Sequence, residues 1–305
     1  MDKSNITLER MRIFVRIAER ANLSAVAREF GIGQSTVSRQ LRELEEALGV
    51  PLLSRTTRRL NLTPEGSAYY AQCLQILRLV DKAGDEARTV SGAPAGMIRI
   101  SCTGAFGILK VSRLLFEFQD LYPEIHIDLS LSDERIDLVQ EGVDLSIRLG
   151  PLADSSLKLR LLGASRRLLV ASADYLDRNG RPAAPDDLRQ HQGIRMANIA
   201  GSDMLVLRDG KTKQHIVPFG GRLMVDHGLA AREAVLAGRG IAPAHHWLVD
   251  DLLQSGEVEP VLPDYGLDPV PLSMLIVPER AGIARVRLLA DFLAERIRAI
   301  LGPTA

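Results

Sequence analysis

The segment that most constrains the fold is a pair of amphipathic helices joined by a glycine turn, at about residues 23–42. The first helix can end at Gly31, because glycine readily adopts the left-handed conformation of a helix end. In the second helix, Val37, Leu41 and Leu44 recur at steps of four and three, which places them on one helical face. This arrangement is typical of a helix-turn-helix, whose second helix enters the major groove of DNA.

The polar face of the second helix suits that task. Its first turns carry amide, hydroxyl and guanidinium groups, which pair with base edges and phosphates, and acidic residues begin only at Glu43. An amphipathic helix in an all-α module is the alternative, but it leaves the acid-free first turn unexplained. The predicted DNA-contacting residues of this helix are Gln34, Ser35, Thr36, Ser38, Arg39 and Arg42.

A basic segment follows this helix. We predict two short extended segments around a basic turn in the stretch VPLLSRTTRRLNLTPEG, which is typical of a wing. Arg55, Arg58 and Arg59 would then enter the minor groove or hold phosphate, whereas a solvated basic loop would show the same cluster of charge. Thr63 and Pro64 form a helix start signal at the end of the wing.

A long helix is predicted from this signal to about residue 91. Its apolar residues recur at alternating steps of four and three, a heptad pattern that a lone helix cannot bury. We therefore predict that a second copy of the chain covers it, and packing against the chain's own second domain is the alternative. The predicted dimerisation residues are Tyr69, Cys73, Ile76, Val80, Ala83, Ala87 and Val90.

Strands and helices alternate beyond a Gly/Ala/Pro stretch that follows the long helix. The pattern predicts strands in MIRIS, IHIDLSLS and VDLSIRLG, with helices at about 108–122 and 135–141. Such alternation favours a mostly parallel, doubly wound sheet. The strict polar–apolar alternation of residues 143–148 predicts a strand that is not buried on both faces.

Ligands of such sheets bind beyond the carboxyl ends of strands, often at helix N-termini. Small residues follow the first strand, although a tight turn would also need them, and Asp226 is predicted to cap a helix later in the chain. Arg148 would approach such a ligand, but an internal ion pair is an equally good interpretation. N–H groups, hydroxyls and one arginine favour a small anionic effector. The predicted effector-binding residues are Thr103, Gly104, Ala105, Ser132, Arg148, Asp226 and His227.

Composition disfavours several other classes of protein. The 38 Lys and Arg residues balance 38 Asp and Glu, so net charge predicts no partner. Two cysteines are too few for a disulfide framework and favour a reducing cytoplasm. The sequence shows no signal peptide, bilayer-spanning run or catalytic motif, and the adjacent His245 and His246 should point apart, which disfavours a metal site. We therefore expect no enzyme activity, no cofactor and no bound metal.

Residues 8–66, with the run FGIGQSTVSRQLRELEEALGVPLLSRTTRRLNLTPEG, resemble the N-terminal domain of LysR-type transcriptional regulators. The resemblance implies a multidomain fold with an α-rich winged helix-turn-helix, a long linker helix, and a C-terminal α/β domain of two lobes that is similar to periplasmic binding proteins. It implies base or phosphate contacts for Gln34, Ser35, Ser38 and Arg39, and a place in the wing for Arg55 and Arg58. The implied domains are the DNA-binding domain at 1–64, the linker helix at 65–92, and the effector domain at 93–305, with lobe I at 93–163 and 268–305 and lobe II at 164–267.

The expected function is that of a cytoplasmic transcriptional regulator whose activity changes when a small anionic effector binds between the two lobes. The expected partners are double-stranded DNA with an inverted-repeat operator, the effector, further copies of the chain in a dimer or tetramer, and RNA polymerase if the protein is an activator. No membrane partner is expected. A small-molecule-binding protein without specific DNA recognition is the alternative.

Overall fold

The computed structural model describes residues 6–56, 59–89, 94–134, 137–138, 141–151, 157–197, 199, 201–210, 213–278 and 280–302. The chain divides into two compact units, one made of residues 1–92 with 137–142 and the other of residues 93–136 with 143–305. We call them the N-terminal unit and the C-terminal unit. None of the described helices combines the length and the apolar character that crossing a membrane requires.

Three helices form the first part of the N-terminal unit: α1 (Leu8–Arg20), α2 (Leu23–Phe30) and α3 (Gln34–Leu48). Helix α1 begins where the Thr7 side chain accepts a hydrogen bond from the Arg10 backbone, and Asn22 caps α2 in the same way. Gly31 ends α2 in the left-handed conformation, with φ of 66°. The predicted helix-turn-helix is confirmed, and the apolar face of α3 is buried among the other helices.

The predicted wing forms a two-stranded antiparallel hairpin of β1 (Leu53–Thr56) and β2 (Arg59–Leu62), followed by the long helix α4 (Pro64–Thr89). Thr63 begins α4 as predicted, because its Oγ1 accepts a hydrogen bond from the Gly66 N–H at 2.8 Å. One acidic residue of α3, Glu45, also holds the start of the hairpin in place. Oε1 of Glu45 accepts hydrogen bonds from the Leu52 and Leu53 N–H groups at 2.7 and 3.2 Å.

The apolar stripe of α4 is partly covered by the chain itself. The side chain of Cys73 is fully buried in the core of the N-terminal unit, and burial raises the pKa of its thiol to about 11. Tyr69 packs on Phe14 with ring centroids 5.7 Å apart, and Ile76 is half-buried against the same core. Assigning Cys73 to a contact between chains was therefore wrong, since α1 and its neighbours already cover it.

The C-terminal unit combines a mixed sheet with helices on its faces. Its helical elements are α5 (Gly104–Phe106), a π-helical turn (Gly107–Val111), α6 (Ser112–Leu121), α7 (Ala173–Asn179), a 3-10 turn (Pro185–Gln190), α8 (Gly228–Leu236), α9 (His246–Ser255) and α10 (Ala284–Leu301). Its strands are β3 (Gly96–Cys102), β4 (Ile125–Leu131), β5 (Leu145–Leu149), β6 (Lys158–Ser172), β7 (Ile194–Met196), β8 (Met204–Asp209), β9 (Lys213–Pro218), β10 (Leu223–Val225), β11 (Ala242–His245), β12 (Val258–Val261) and β13 (Tyr265–Ile276).

The main described sheet has the order β11-β6-β13-β5-β3-β4, and only the pairs β3–β4 and β3–β5 along this path are parallel. The prediction of a mostly parallel sheet was therefore wrong. Two long strands, β6 and β13, run antiparallel to each other. The first part of β6 pairs with β13, and its last residues pair with β11 and β12 of the second lobe. Strand–helix alternation predicts parallel pairing only where a helix joins consecutive strands, which is not how β6 and β13 meet.

The first helix of this unit begins earlier than predicted, at Gly104 instead of about residue 108, and passes through the π-helical turn before α6. The helix predicted at about 135–141 lies largely outside the described residues.

The prediction that the strand in residues 143–148 is not buried on both faces was also wrong. Asp144, Ser146 and Arg148 are at most 7% exposed, like the apolar residues between them. Asp144 forms an ion pair with Arg280 at 3.2 Å and accepts a hydrogen bond from the Arg99 N–H at 2.8 Å. Polar side chains therefore occupy an interior face of this strand because buried partners satisfy them.

Candidate DNA-binding surface and effector cavity

The polar face of α3 is available to a partner. Gln34, Ser35, Arg39 and Arg42 are exposed, and Thr36 and Ser38 are half-buried between them and the core. Gly33 provides no side-chain cap for α3. The Gln34 side chain is instead positioned by a hydrogen bond that its Oε1 accepts from the Ser24 hydroxyl at 2.9 Å. The first turns of α3 thus present an ordered row of short polar groups.

The two arginines of this row form only weak internal contacts. The Nε atoms of Arg39 and Arg42 lie 3.8 Å from carboxylate oxygens of Glu43 and Glu46, and the two arginine side chains are 61% and 67% exposed. Exposed ion pairs contribute about 0–1 kcal/mol, so a phosphate or a guanine can replace these carboxylates at little cost. Glu43 is also paired with Arg10 of α1, so its charge is partly compensated on the side facing α1.

The wing supplies the other predicted DNA contacts. The backbone of Arg55 lies in β1 opposite Leu60, and that of Arg59 lies in β2 opposite Thr56. Arg58 lies outside the described residues. The hairpin therefore holds Arg55 and Arg59 on two paired strands directly after α3.

The distal part of the α4 stripe is more open than its beginning. Val80 is half-buried, Ala83 is exposed, and the neighbouring Leu79 is 65% exposed. The side chain of Ala87 and the whole of Val90 lie outside the described residues. The apolar stripe of α4 therefore has two parts. The first part packs on its own unit, and the core of the N-terminal unit leaves the second part open.

A cavity of about 470 Å³ lies within the C-terminal unit, between the strand ends of the first lobe and helices α8 and α9 of the second. Most of its wall is apolar, with Phe106, Met196 and Trp247 among the large side chains. Of the predicted effector-binding residues, Thr103, Ala105 and Asp226 line it. The Thr103 hydroxyl oxygen is buried without a hydrogen-bond partner in the described part of the chain.

The other four predicted effector-binding residues are not among those that line the cavity. The guanidinium of Arg148 donates hydrogen bonds to the Ser101 and Ser146 hydroxyls at 2.7 and 2.9 Å and to the carbonyl of Ser132. Burial lowers the pKa of Arg148, and neither of the two interpretations, cleft contact or ion pair, describes its main contacts. Gly104 donates its N–H to Asp133 at 2.9 Å, and a Cβ there would lie 2.4 Å from Nε2 of His227.

His227 caps helix α8, where Nδ1 accepts a hydrogen bond from the Leu229 N–H at 3.3 Å. The prediction that Asp226 caps this helix was wrong by one residue, and the capping role of His227 leaves Asp226 to face the cavity.

Three polar residues that line the cavity, Asp133, Arg167 and His245, were missed by the sequence analysis. Arg167 lines the cavity on β6, and its side chain makes no hydrogen bond to the described residues. Burial lowers the pKa of Arg167, and the charge of Asp268 opposes this shift. His245 on β11 lies directly opposite Arg167 in the antiparallel ladder. The adjacent pair Arg166 and Arg167 was a usable signal, because neighbouring residues of a strand face opposite sides and one arginine had to point inward.

His245 belongs to a buried hydrogen-bonded chain. Its Nδ1 lies 2.8 Å from the Ser165 hydroxyl, which also accepts a hydrogen bond from Nε1 of Trp247 at 2.8 Å. The rings of His245 and Trp247 are stacked with centroids 5.4 Å apart, and Trp247 packs edge-on against Phe106 at 4.9 Å. Burial, helped by the charge of Arg167, lowers the pKa of His245 from 6.5 to about 3.

This shift predicts a pH dependence of folding. Below pH 6.5 the unfolded chain takes up a proton on His245, whereas the native state stays neutral until about pH 3, so stability falls as the pH falls through this range. Between pH 7 and pH 5 this one group should lower the free energy of unfolding by about 2 kcal/mol. Urea unfolding at the two pH values measures this loss of unfolding free energy. The wild type should show it, and the His245→Gln variant should not. His246→Gln, at the exposed neighbour, should behave like the wild type.

No group of three or more metal-binding side chains is found within the described residues. Both cysteines, Cys73 and Cys102, are buried and unbridged.

Comparison with known proteins identifies similar domains in both units. The model of the bacterial regulatory helix-turn-helix protein, lysR family, matches residues 8–67, and that of the LysR substrate binding domain matches residues 91–298. The HTH-type transcriptional regulator DmlR of Escherichia coli (strain K12) is 33% identical, and the match covers 94% of this chain and 94% of DmlR.

Full-length solved structures are also similar. CrgA, a LysR-type transcriptional regulator from Neisseria meningitidis, has a TM-score of 0.62 at 30% identity, over 95% of this chain and 98% of CrgA. AphB, a virulence activator of Vibrio cholerae, has a TM-score of 0.64 at 26% identity, over 95% of this chain and 99% of AphB.

Proposed function

Because this chain belongs to the LysR-type transcriptional regulators, which bind DNA and carry an effector domain, we propose that it reads an inverted-repeat operator as an oligomer and responds to a small anionic effector. The observation that supports the anionic effector best is Arg167, a partly buried cation on the cavity wall with no hydrogen bond to the described residues. A buried charge is stable only when a partner compensates it. The charge of Asp268 acts on Arg167, but Asp268 is itself paired with Arg208, so a bound anion would be the direct partner of Arg167. Such a protein would act on DNA in the cytoplasm.

The DNA-binding proposal rests on α3 and the wing. The apolar face of α3 is buried, so its polar face is directed outward, and the backbones of Arg55 and Arg59 lie in the hairpin that follows it along the chain. By this proposal Gln34, Ser35, Thr36, Ser38, Arg39 and Arg42 contact bases and phosphates in the major groove, and Arg55, Arg58 and Arg59 contact the minor groove or the backbone.

Arg39→Ala should weaken binding to the DNA upstream of the protein's own gene by about 5- to 150-fold, the effect of losing one bidentate base contact. Fluorescence anisotropy at several salt concentrations measures it. Wild-type affinity should fall steeply with salt, because phosphate contacts release counterions. Arg189→Ala, which removes an exposed arginine from the C-terminal unit, is the charge-matched control and should bind like the wild type. If Arg39→Ala also binds like the wild type, the alternative of a small-molecule-binding protein without specific DNA recognition gains support.

Val80→Lys should abolish dimers, because it would bury a charge in the dimer contact that we propose for the distal part of the α4 stripe. A sizing column with light scattering measures the mass of each variant. Gln75→Lys adds the same charge at an exposed position of α4 and should leave the oligomer unchanged. A Val80→Lys protein with wild-type mass would exclude α4 as the dimer contact.

The proposal includes RNA polymerase as a partner if the protein activates transcription. Reporter output from the target promoter, with and without the effector, separates an activator from a repressor. An effector that shifts the lobes would change how the two DNA-binding units meet the operator, since a ligand changes activity only through unequal affinity for two states.

A further inference from the structure

We propose that His245 is a neutral N–H donor, through Nε2, to a carboxylate group of the effector whose negative charge is met by Arg167. The effector class is then a monocarboxylic acid with an apolar body. This inference rests on the proposed function, since it specifies which anion the cavity accepts.

The hydrogen-bonded chain determines which nitrogen of His245 carries the proton. The indole Nε1–H of Trp247 can only donate, so Ser165 accepts at 2.8 Å. Ser165 is fully buried, and its hydroxyl has one proton to place. If Nδ1 of His245 carried a proton, the Ser165 O–H would have no acceptor among the described residues, which is unfavourable for a buried donor. Nδ1 therefore accepts from Ser165, and the ring proton lies on Nε2.

The position of His245 directs this donor to the cavity beside Arg167. The two residues are directly opposite each other on β11 and β6, so their side chains lie on the same face of the sheet. Both line the cavity, and Nε2 makes no hydrogen bond to the described residues. With its pKa near 3, His245 remains neutral at physiological pH, and a neutral imidazole with Nδ1 engaged offers a donor but no acceptor.

The remaining wall limits the ligand further. A guanidinium and a neutral N–H together match the two oxygens of a carboxylate. The acidic residues of the wall have contacts of their own, since Asp133 accepts the Gly104 N–H at 2.9 Å and Asp226 also has a polar partner. Around them the wall is formed by aromatic and aliphatic side chains that suit an apolar body: Phe106, Leu149, Met196, Trp247, Leu248 and Val270.

The test uses the full chain and calorimetric titration with phenylacetate, cyclohexanecarboxylate and hexanoate, each beside its primary amide and primary amine. At least one carboxylate should bind, and its amide and amine should bind at least 10-fold more weakly. Arg167→Gln should weaken carboxylate binding by more than about 30-fold, and His245→Phe by about 10-fold or more, as expected for a lost hydrogen bond to a charged group. His245→Gln retains an N–H donor and should stay within about 3-fold of the wild type. His246→Phe is the matched control and should not change affinity.

The pH profile distinguishes a neutral donor from an imidazolium. Carboxylate affinity should be constant from pH 5.5 to 7.5, whereas a charged His245 would make it fall as the pH rises. Unliganded melting temperatures show whether each variant is folded. If carboxylates bind through Arg167 but lose affinity with rising pH, or tolerate His245→Phe, this inference is wrong and the anionic effector stands. If no carboxylate binds, or the amides or amines bind equally well, the inference fails; operator binding that depends on Arg39 would still support the regulator.

Discussion

Gly66→Ala is expected to destabilise the N-terminal unit by more than about 3 kcal/mol, beyond the usual range for an overpacked core. A Cβ at this position would lie 1.9 Å from the carbonyl oxygen of Leu52. That carbonyl is held in place, because it accepts a hydrogen bond from the Thr63 N–H at 3.0 Å and the Leu52 side chain is fully buried. Since backbone atoms are in conflict, no side-chain rotation relieves the contact, and the start of α4 would have to move away from the wing.

Urea unfolding monitored by circular dichroism measures the effect, and amide hydrogen exchange in residues 8–48 shows whether the N-terminal unit is the part that opens. Gly84→Ala is the matched control, because it makes the same change in the same helix at a position with no atom within 4 Å of the added Cβ. It should be neutral or stabilising by up to about 1 kcal/mol, since alanine favours helix more than glycine does. Equal unfolding midpoints for the two variants would show that α4 does not approach Leu52 so closely.

The N-terminal unit was largely predictable because its signals are local. Asn22, Gly31 and Thr63 act within a few residues of their own positions, and the apolar spacing of α3 needs no knowledge of its partner. The coverage of Cys73 was not predictable in this way. A heptad pattern shows that a stripe must be buried, but it does not show which surface buries it.

The sheet of the C-terminal unit was less predictable because its pairing is between distant segments. Arg167 and His245 are 78 positions apart and become neighbours only through the β6–β11 register. The position of Thr103 and Ala105 on the cavity wall could be predicted, since ligand sites of α/β sheets lie beyond the strand ends. The inward-facing side chains of β6 depend on a pairing that alternation alone does not specify.

The burial of residues 144–148 could not be predicted from the sequence either. Alternating polar residues usually indicate a solvated face, but here Asp144, Ser146 and Arg148 have buried partners. The sequence carries no signal for such partners, because Arg99 and Arg280 lie far from this strand in the chain.

Asp144→Ala is therefore expected to cost about 3–5 kcal/mol of unfolding free energy, the effect of breaking a buried ion pair by removing one partner. Asp144 is 3% exposed, and its carboxylate lies 3.2 Å from the Arg280 guanidinium and accepts the Arg99 N–H at 2.8 Å. Burial raises the pKa of Asp144, since desolvation of the carboxylate outweighs the hydrogen bond and the nearby arginines. Its removal would take a carboxylate away from a buried guanidinium and put an apolar side chain in its place.

Urea unfolding of Asp144→Ala, Asp144→Asn and Asp128→Ala separates the causes. Asp144→Asn keeps an oxygen that can accept the Arg99 N–H but removes the charge, so its loss should be the smaller of the two at this position. Asp128 forms an ion pair with Arg99 at 3.8 Å while 64% exposed, and Asp128→Ala should cost less than about 1 kcal/mol. If Asp144→Ala costs no more than Asp128→Ala, the ion pair with Arg280 does not hold β5 in the sheet, because an exposed pair and a buried pair would then be equivalent.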